Sequence, residues 1–179
     1  MTSIPPDLLP EGFRDRLPPQ AEAAARVARA MLDVLASNGY ARVSPAIAEF
    51  ETGLAARSGG ATRNQLLRFT DPVSGHTLAL RGDITVQVGR IATTRMADTP
   101  RPLRLCYHGQ VLRLRARQLR PEREITQLGA ELVGNDSVAA ASEIVSVAID
   151  ALEAAGVRDI IVDFTLPDDL EAIPRQTGA

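Results

Sequence analysis

Gln127 and Glu131 stand four residues apart with Gly129 midway between them, and Arg113 precedes them in a segment of similar alternating character. A guanidinium, an amide and a carboxylate on one surface suit a small zwitterion. The guanidinium can hold a carboxylate or phosphate through two parallel hydrogen bonds, while the amide and the carboxylate meet polar N–H groups deeper in a pocket. Strand alternation supplies the common surface: Ile125, Gln127, Gly129, Glu131 and Val133 share one face, and Thr126, Leu128, Ala130 and Leu132 the other. Arg113 shares its face with Val111 and Arg115, opposite Leu112 and Leu114, which lets it reach the same surface. Read this way, the three groups converge over a side-chain-free gap at Gly129. The same pattern also fits the wet face of a half-covered antiparallel sheet, with Gly129 marking a bulge. The residues alone leave both readings open.

Between the two alternating segments runs a loop that carries Arg115, Arg117, Arg120 and Arg123 against Glu122 and Glu124. With Arg113 this concentration of guanidinium groups can attract an anion, or form a solvated hairpin tip. No aromatic residue is interleaved on which a base would stack, which speaks against nucleic acid. Cys106 and His108 point the same way on the preceding strand, as a thiol and its base would. Alternate positions on one strand seldom give the required hydrogen bond and no orienting third group is evident, so a small buried apolar cysteine is the better account.

The elements that must position these groups follow from turn chemistry and periodicity. Pro5, Pro6, Pro10, Pro18 and Pro19 keep residues 1–20 an extended arm with turns. Residues 21–37 have helical spacing, with Asn38-Gly39 as the stop, and residues 40–43 make a short strand before Pro45. Residues 49–57 read as a helix. Two strands, 66–69 and 77–80, flank Asp71-Pro72-Val73-Ser74-Gly75 as an antiparallel hairpin, with His76 a solvated loop residue. Leu80 to Thr85 lies where a strand passes into a helix, and Asp83 suits that helix's cap. Asn135 or Asp136 caps a helix running to about Ala155. Residues 158–166 read as a further strand and residues 168–179 as a frayed tail. No repeat or linker divides the chain, so 1–179 reads as one domain.

Composition limits the function classes. A chain of 179 residues, 45% hydrophobic and 23% charged, can bury a sizeable core. Its net charge of −2 demands no nucleic acid. Every basic residue is arginine, which removes lysine Schiff-base and P-loop chemistry. Cys106 alone cannot form an internal disulfide and fits a reducing compartment. No leader is seen and no apolar run approaches the roughly 20 residues of a membrane span. The expectation is a cytoplasmic protein. Two histidines and one cysteine without ligand spacing give no metal site.

Tyr107-His108-Gly109-Gln110-Val111-Leu112-Arg113, followed after the loop by Gln127-Leu128-Gly129-Ala130-Glu131-Leu132-Val133-Gly134, resembles the second signature motif of class II aminoacyl-tRNA synthetases in its histidyl form. Leu80-Arg81-Gly82-Asp83-Ile84-Thr85 resembles the amino-acid-binding segment of that enzyme, and Gly39-Tyr40-x-x-Val43-x-Pro45 its first motif, whose helix and strand form the family's dimer interface. Together with Leu9-Pro10-Glu11-Gly12-Phe13-Arg14-Asp15, the pattern is closest to the non-synthetase branch, the regulatory subunits of ATP phosphoribosyltransferase (HisZ). The likeness runs from about Leu9 to Pro167.

The resemblance implies an α+β fold, an antiparallel sheet with helices packed on one side, similar to the first part of a class II synthetase catalytic domain. It implies histidine as ligand: Arg113 on the α-carboxylate, Asp83 and Gln127 on the α-ammonium side with Thr85 nearby, and Glu131 toward the imidazole or ammonium end. The histidyl enzymes have glutamate where this chain has Asp83, one methylene longer. They also have a glutamate that helps position ATP two residues after the motif arginine, where Arg115 stands here. Arg115 accepts no hydrogen bonds and reverses the charge, and the third synthetase motif is absent. The implied role is a non-catalytic subunit without a cofactor, partnered with the short catalytic ATP phosphoribosyltransferase, self-associating through its first motif and transmitting histidine feedback. A histidyl-tRNA synthetase fragment and a free-standing histidine-binding module are the alternatives. The family's members are longer, so part of the pocket wall would lie beyond this chain.

Overall fold

The computed structural model describes residues 5, 7–58, 64–115 and 121–164. In chain order the elements are α1 (Gln20–Ser37), β1 (Ala41–Arg42), β2 (Ala48–Phe50), α2 (Glu51–Arg57), β3 (Leu67–Thr70), β4 (Thr77–Leu80), α3 (Thr85–Thr94), β5 (Leu103–Leu112), β6 (Glu124–Val133) and α4 (Val138–Ala154). The class is the expected α+β. The strands, however, form two three-stranded sheets, β1-β5-β6 and β2-β4-β3. One pairing is parallel, since β1 lies beside β5 with Ala41 opposite Leu105.

The long hairpin β5–β6 is the centre of the molecule. Its ten-residue register runs from Leu103 opposite Val133 to Leu112 opposite Glu124. Residues of odd number on both strands therefore face one way, and those of even number the other. On the odd face Leu103, Leu105, Tyr107 and Val111 pack against Ile84, Val88 and Ala92 of α3 and its entry turn. Ile84 is fully buried there, which stabilises the fold by about 1.5–3 kcal/mol. On the even face Cys106, with Leu128 and Ala130, packs on Leu35 of α1, Val147 of α4 and Tyr40, which precedes β1. Helices thus cover both faces of the main sheet rather than the single side expected, because each face carries its own alternating apolar set. Ala79 of the small sheet and Leu66, just ahead of β3, pack on Leu54 and Ala55 of α2.

Several expectations need correction. Glu49 and Phe50 belong to β2, paired with Ala79 and Leu78, so the helix begins only at Glu51. Edge pairing with β4 outweighs their helical spacing. The cap of α4 is Ser137, whose hydroxyl accepts the Ala140 N–H at 3.2 Å, while Asn135 accepts the Ser137 N–H. Residues 158–164 hold no strand. No neighbouring strand pairs with them, Ile161 and Phe164 are largely exposed, and the rest of that expectation, like the tail 168–179, lies outside the described residues. β5 ends at Leu112, so Arg113 and Arg115 stand beyond it. Among the described residues no helix is long and apolar enough to cross a membrane.

The β3–β4 turn follows its sequence. The Asp71 carboxylate accepts the Ser74 hydroxyl and the N–H groups of Val73 and Ser74, and the hydroxyl bond leads in holding that carboxyl below its ordinary pKa. Gly75 supplies the positive φ of 72° that closes the turn. His76 is exposed and meets Phe50 edge-on.

Candidate functional site

The odd face of β6 meets the junction between β4 and α3. Gln127 bridges that junction with both ends of its amide: Oε1 accepts the Ile84 N–H at 2.9 Å, and Nε2 donates to Asp83 Oδ1 at 2.7 Å. The same Asp83 oxygen accepts the Thr85 N–H at 3.1 Å. Asp83 is not the cap expected from the sequence, since Ile84 holds the N-cap position of α3 without a side-chain cap bond; its carboxylate instead closes a turn just ahead of the helix and meets Gln127.

Tyr107 supplies the link to Glu131. Its hydroxyl lies 2.9 Å from Thr85 Oγ1 and 3.2 Å from Glu131 Oε1. An ionised carboxylate only accepts, so the tyrosine proton points at Glu131 and the threonine hydroxyl donates to the tyrosine oxygen. Burial, with the charges of Glu131 and Asp83 adding to it against the Thr85 hydrogen bond, pushes the Tyr107 phenol up to about 12. The Tyr107 ring also fills the gap at Gly129. A Cβ there would stand 2.7 Å from Tyr107 Cζ. The open glycine floor expected from the sequence is thus roofed by an aromatic ring, its direct cross-strand neighbour in the register. An aromatic opposite a glycine on a paired strand was the signal available, and it needed the register to be read.

Arg81 is a second residue missed. It is only 7% exposed. Nε donates to the Gln110 carbonyl at 2.7 Å and Nη1 to the Pro45 carbonyl at 2.8 Å. Its other amino group lies against Gly109, directly opposite Gln127 in the ladder. Burial lowers its pKa. A guanidinium thus does sit at the Gln127 row, tying β4 to β5.

Asp83, Thr85, Gln127 and Glu131 are therefore gathered into one hydrogen-bonded group through Ile84 and Tyr107. Arg113 is placed differently. It has the matching parity, but the Val111–Ile125 pair lies between it and the Gly109–Gln127 row, about 13 Å at strand spacing. It is half-buried, and among the described residues its guanidinium forms no hydrogen bond or ion pair. In the loop, Arg115 is exposed, and Arg117 and Arg120 lie outside the described residues. Arg123 is not at the disposal of a free anion: Nε donates to the Arg113 carbonyl at 3.1 Å, and its guanidinium carbon sits 4.9 Å from the centre of the Phe13 ring.

Cys106 is 2% exposed and directs its thiol at the Tyr40 carbonyl, 3.6 Å away. Burial raises its pKa and lowers that of His108, which suits packing and not a thiolate–imidazolium pair. Among the described residues no group of three or more His, Cys, Asp or Glu side chains is placed to hold a metal.

The chain is similar to longer proteins. It is 48% identical over 160 residues to an ATP phosphoribosyltransferase regulatory subunit from Rhodospirillum centenum, covering 89% of this chain and 42% of that protein. A protein so named from Paramagnetospirillum magneticum is 46% identical over 93% of this chain and 44% of its own. The chain thus spans less than half the length of these relatives. Among solved structures, an ATP phosphoribosyltransferase regulatory subunit/histidyl-tRNA synthetase from Bacillus halodurans superposes with a TM-score of 0.76 at 30% identity, over 89% of this chain and 40% of that one. The histidyl-tRNA synthetase family itself matches residues 12–179. With Tyr107, Gln127 and Glu131 on the hairpin that carried the resemblance and Asp83 meeting Gln127 from the junction before α3, the chain belongs to the histidyl-tRNA synthetase family.

Proposed function

We propose that this chain works as a regulatory subunit of ATP phosphoribosyltransferase, the first enzyme of histidine biosynthesis, and activates no amino acid itself. The observation that carries the reading is the name shared by relatives 45–48% identical to this chain. Arg115 supports it from within the sequence. It occupies the position that the resemblance assigns to an ATP-orienting glutamate, and it cannot accept a hydrogen bond.

In this reading the partner is the short catalytic phosphoribosyltransferase, which needs the subunit for full activity, and L-histidine is the effector. The ligand lies along the odd face of the hairpin. Its α-ammonium meets Asp83 and Gln127, its imidazole approaches Glu131 and Tyr107, and its carboxylate points toward Arg113. Thr85 holds the Tyr107 hydroxyl in register. Regulation then requires that histidine bind one assembly state more tightly than another, since equal affinity shifts nothing. Self-association through the segment around Tyr40 to Pro45 supplies such states.

The test is reconstitution. The chain is mixed with a short catalytic subunit, and phosphoribosyl-ATP formation is followed with and without histidine. Stimulation that histidine reverses supports the reading; failure to stimulate overturns it. Histidine-dependent exchange between ATP and pyrophosphate by the chain alone would instead reveal an amino-acid-activating fragment. Histidine binding with neither activity would leave a free-standing binding module.

A further inference from the structure

The Leu9–Asp15 motif has no role in the site as described so far, yet it is fastened to the hairpin at the point where Arg113 leaves β5. Three contacts hold Arg123 to residues 11–13. Its backbone N–H donates to the Gly12 carbonyl at 2.9 Å, its Nη1 donates to the Glu11 carbonyl at 3.4 Å, and its guanidinium covers the Phe13 ring at 4.9 Å. Arg123 in turn holds Arg113 by both sides of its backbone. The Arg113 N–H donates to the Arg123 carbonyl at 2.8 Å, and Arg123 Nε donates to the Arg113 carbonyl at 3.1 Å.

Gly12 is required for so close an approach. Its φ is +83°, and a Cβ there would stand 2.7 Å from Arg123 Cγ and 2.8 Å from the Pro121 carbonyl oxygen. One contact is to backbone, so the hairpin itself would have to shift. The attachment continues along the arm. Arg14 pairs with Glu122 at 3.6 Å, and Arg16 donates to Thr126 Oγ1 at 3.2 Å.

We propose that residues 11–13 and Arg123 form a clamp that fixes where Arg113 enters the ligand face, which makes Arg123 a positioning residue for recognition of the ligand's carboxylate. The inference rests on the histidine reading of the site. Past β5 the backbone bond from Arg113 to Arg123 extends the register by one pair, and the Leu114 N–H donates to the Gln65 carbonyl at 3.0 Å. The Arg113 carbonyl is held by the Arg123 side chain, and a long side chain keeps its aim only while the backbone that carries it is fixed. The strongest demand for arm and hairpin to fit falls on Gly12, which explains why a motif remote from Gln127 belongs to the same pattern.

The test uses two ligands that differ in the group Arg113 would hold: L-histidine, and L-histidinol, which lacks the carboxylate. Calorimetric titration of the 179-residue chain compares it with Arg113→Ala, Arg123→Gln, Arg123→Lys and Gly12→Ala. The clamp predicts that all four weaken histidine by about tenfold while histidinol changes by less than about twofold, the loss of one charge-assisted contact. Arg123→Lys keeps the charge without the Nε donor, so it should fail as Arg123→Gln does. Equal weakening of both ligands in the Arg123 and Gly12 variants overturns the clamp and leaves the site reading intact. Unaltered histidine affinity in those variants does the same. No histidine binding by the unaltered chain sinks the site reading and the clamp with it. Amide exchange needs no ligand: the Arg113 N–H should exchange faster in Gly12→Ala, and unchanged protection counts against the clamp.

Discussion

Gln127 reaches across from β6 to satisfy both the Ile84 N–H and the Asp83 carboxylate, so one side chain holds the start of α3 against the hairpin. The site and the fold share this contact. A residue read from the sequence as a ligand group is also a structural bridge, and its removal acts on both.

Gln127→Leu keeps the approximate volume but leaves the Ile84 N–H without its acceptor and Asp83 Oδ1 with the Thr85 N–H alone. The expected loss is about 1–3 kcal/mol of folding stability, read as a lower urea midpoint. Gln127→Glu sets a second carboxylate beside Asp83 and removes the donor, so it should destabilise more at neutral pH and recover part of the loss in acid. Equal midpoints for the original chain and Gln127→Leu would show that water replaces the bridge.

The chain has two tyrosines, and both phenols are pushed up to about 12 from an ordinary value of 10.0. Burial is the leading cause for each, with Glu143 acting on Tyr40. In the unfolded chain they ionise near 10, in the folded chain later. The unfolded state therefore loses these protons first, and the tyrosines' contribution to stability should be complete below pH 10 and fall between pH 10 and about 12. Tyrosinate absorbance should stay low until the chain unfolds and then rise for both together. Early ionisation of one tyrosine in the intact fold would place that phenol in water.

Glu143 joins α4 to the hairpin. Its two carboxylate oxygens take Arg104 Nε at 2.6 Å and Nη2 at 2.7 Å, and Oε1 also accepts the Tyr40 hydroxyl at 3.1 Å. The Arg104 hydrogen bonds lead in lowering its pKa below 4.5. Its contribution is complete above that ordinary value and is lost as pH falls through the lower folded one. The difference in urea midpoint between the original chain and Glu143→Gln should be present at neutral pH and vanish in acid. A difference that persists after Glu143 is protonated would trace to packing instead of charge.

Ligand binding separates the two ends of the site. Glu131→Ala should weaken histidine by about tenfold or more, since a charge-assisted hydrogen bond contributes about 1.5–3 kcal/mol, and should leave Tyr107 seeking a new acceptor. Tyr107→Phe keeps the ring over Gly129 and loses only the hydroxyl, so its cost to folding should be smaller than that of Gly129→Ala, which drives a Cβ into the ring. Unchanged histidine titrations in Glu131→Ala and Arg113→Ala would place the ligand elsewhere.

Much of this was present in the order of the residues. Alternation set Gln127 and Glu131 on one face, turn chemistry placed the β3–β4 hairpin at Asp71 to Gly75, and spaced motifs carried the family. Local rules suffice there because each depends on neighbours a few positions apart. What the order of residues could not give was the partner across space. Glu49 and Phe50 follow helical spacing but pair with β4; residues 158–164 have a strand's pattern but no strand beside them. Tyr107 enters the site only because the register sets it opposite Gly129, and Arg123 leaves the anion loop because its donors meet the Arg113 and Glu11 carbonyls. The sequence alone determined which groups face the same way. The tertiary structure decided which of them touch, because hydrogen bonds and close contacts act over about 3 Å, and only the folded chain brings positions as distant as Gly12 and Arg123 within that range.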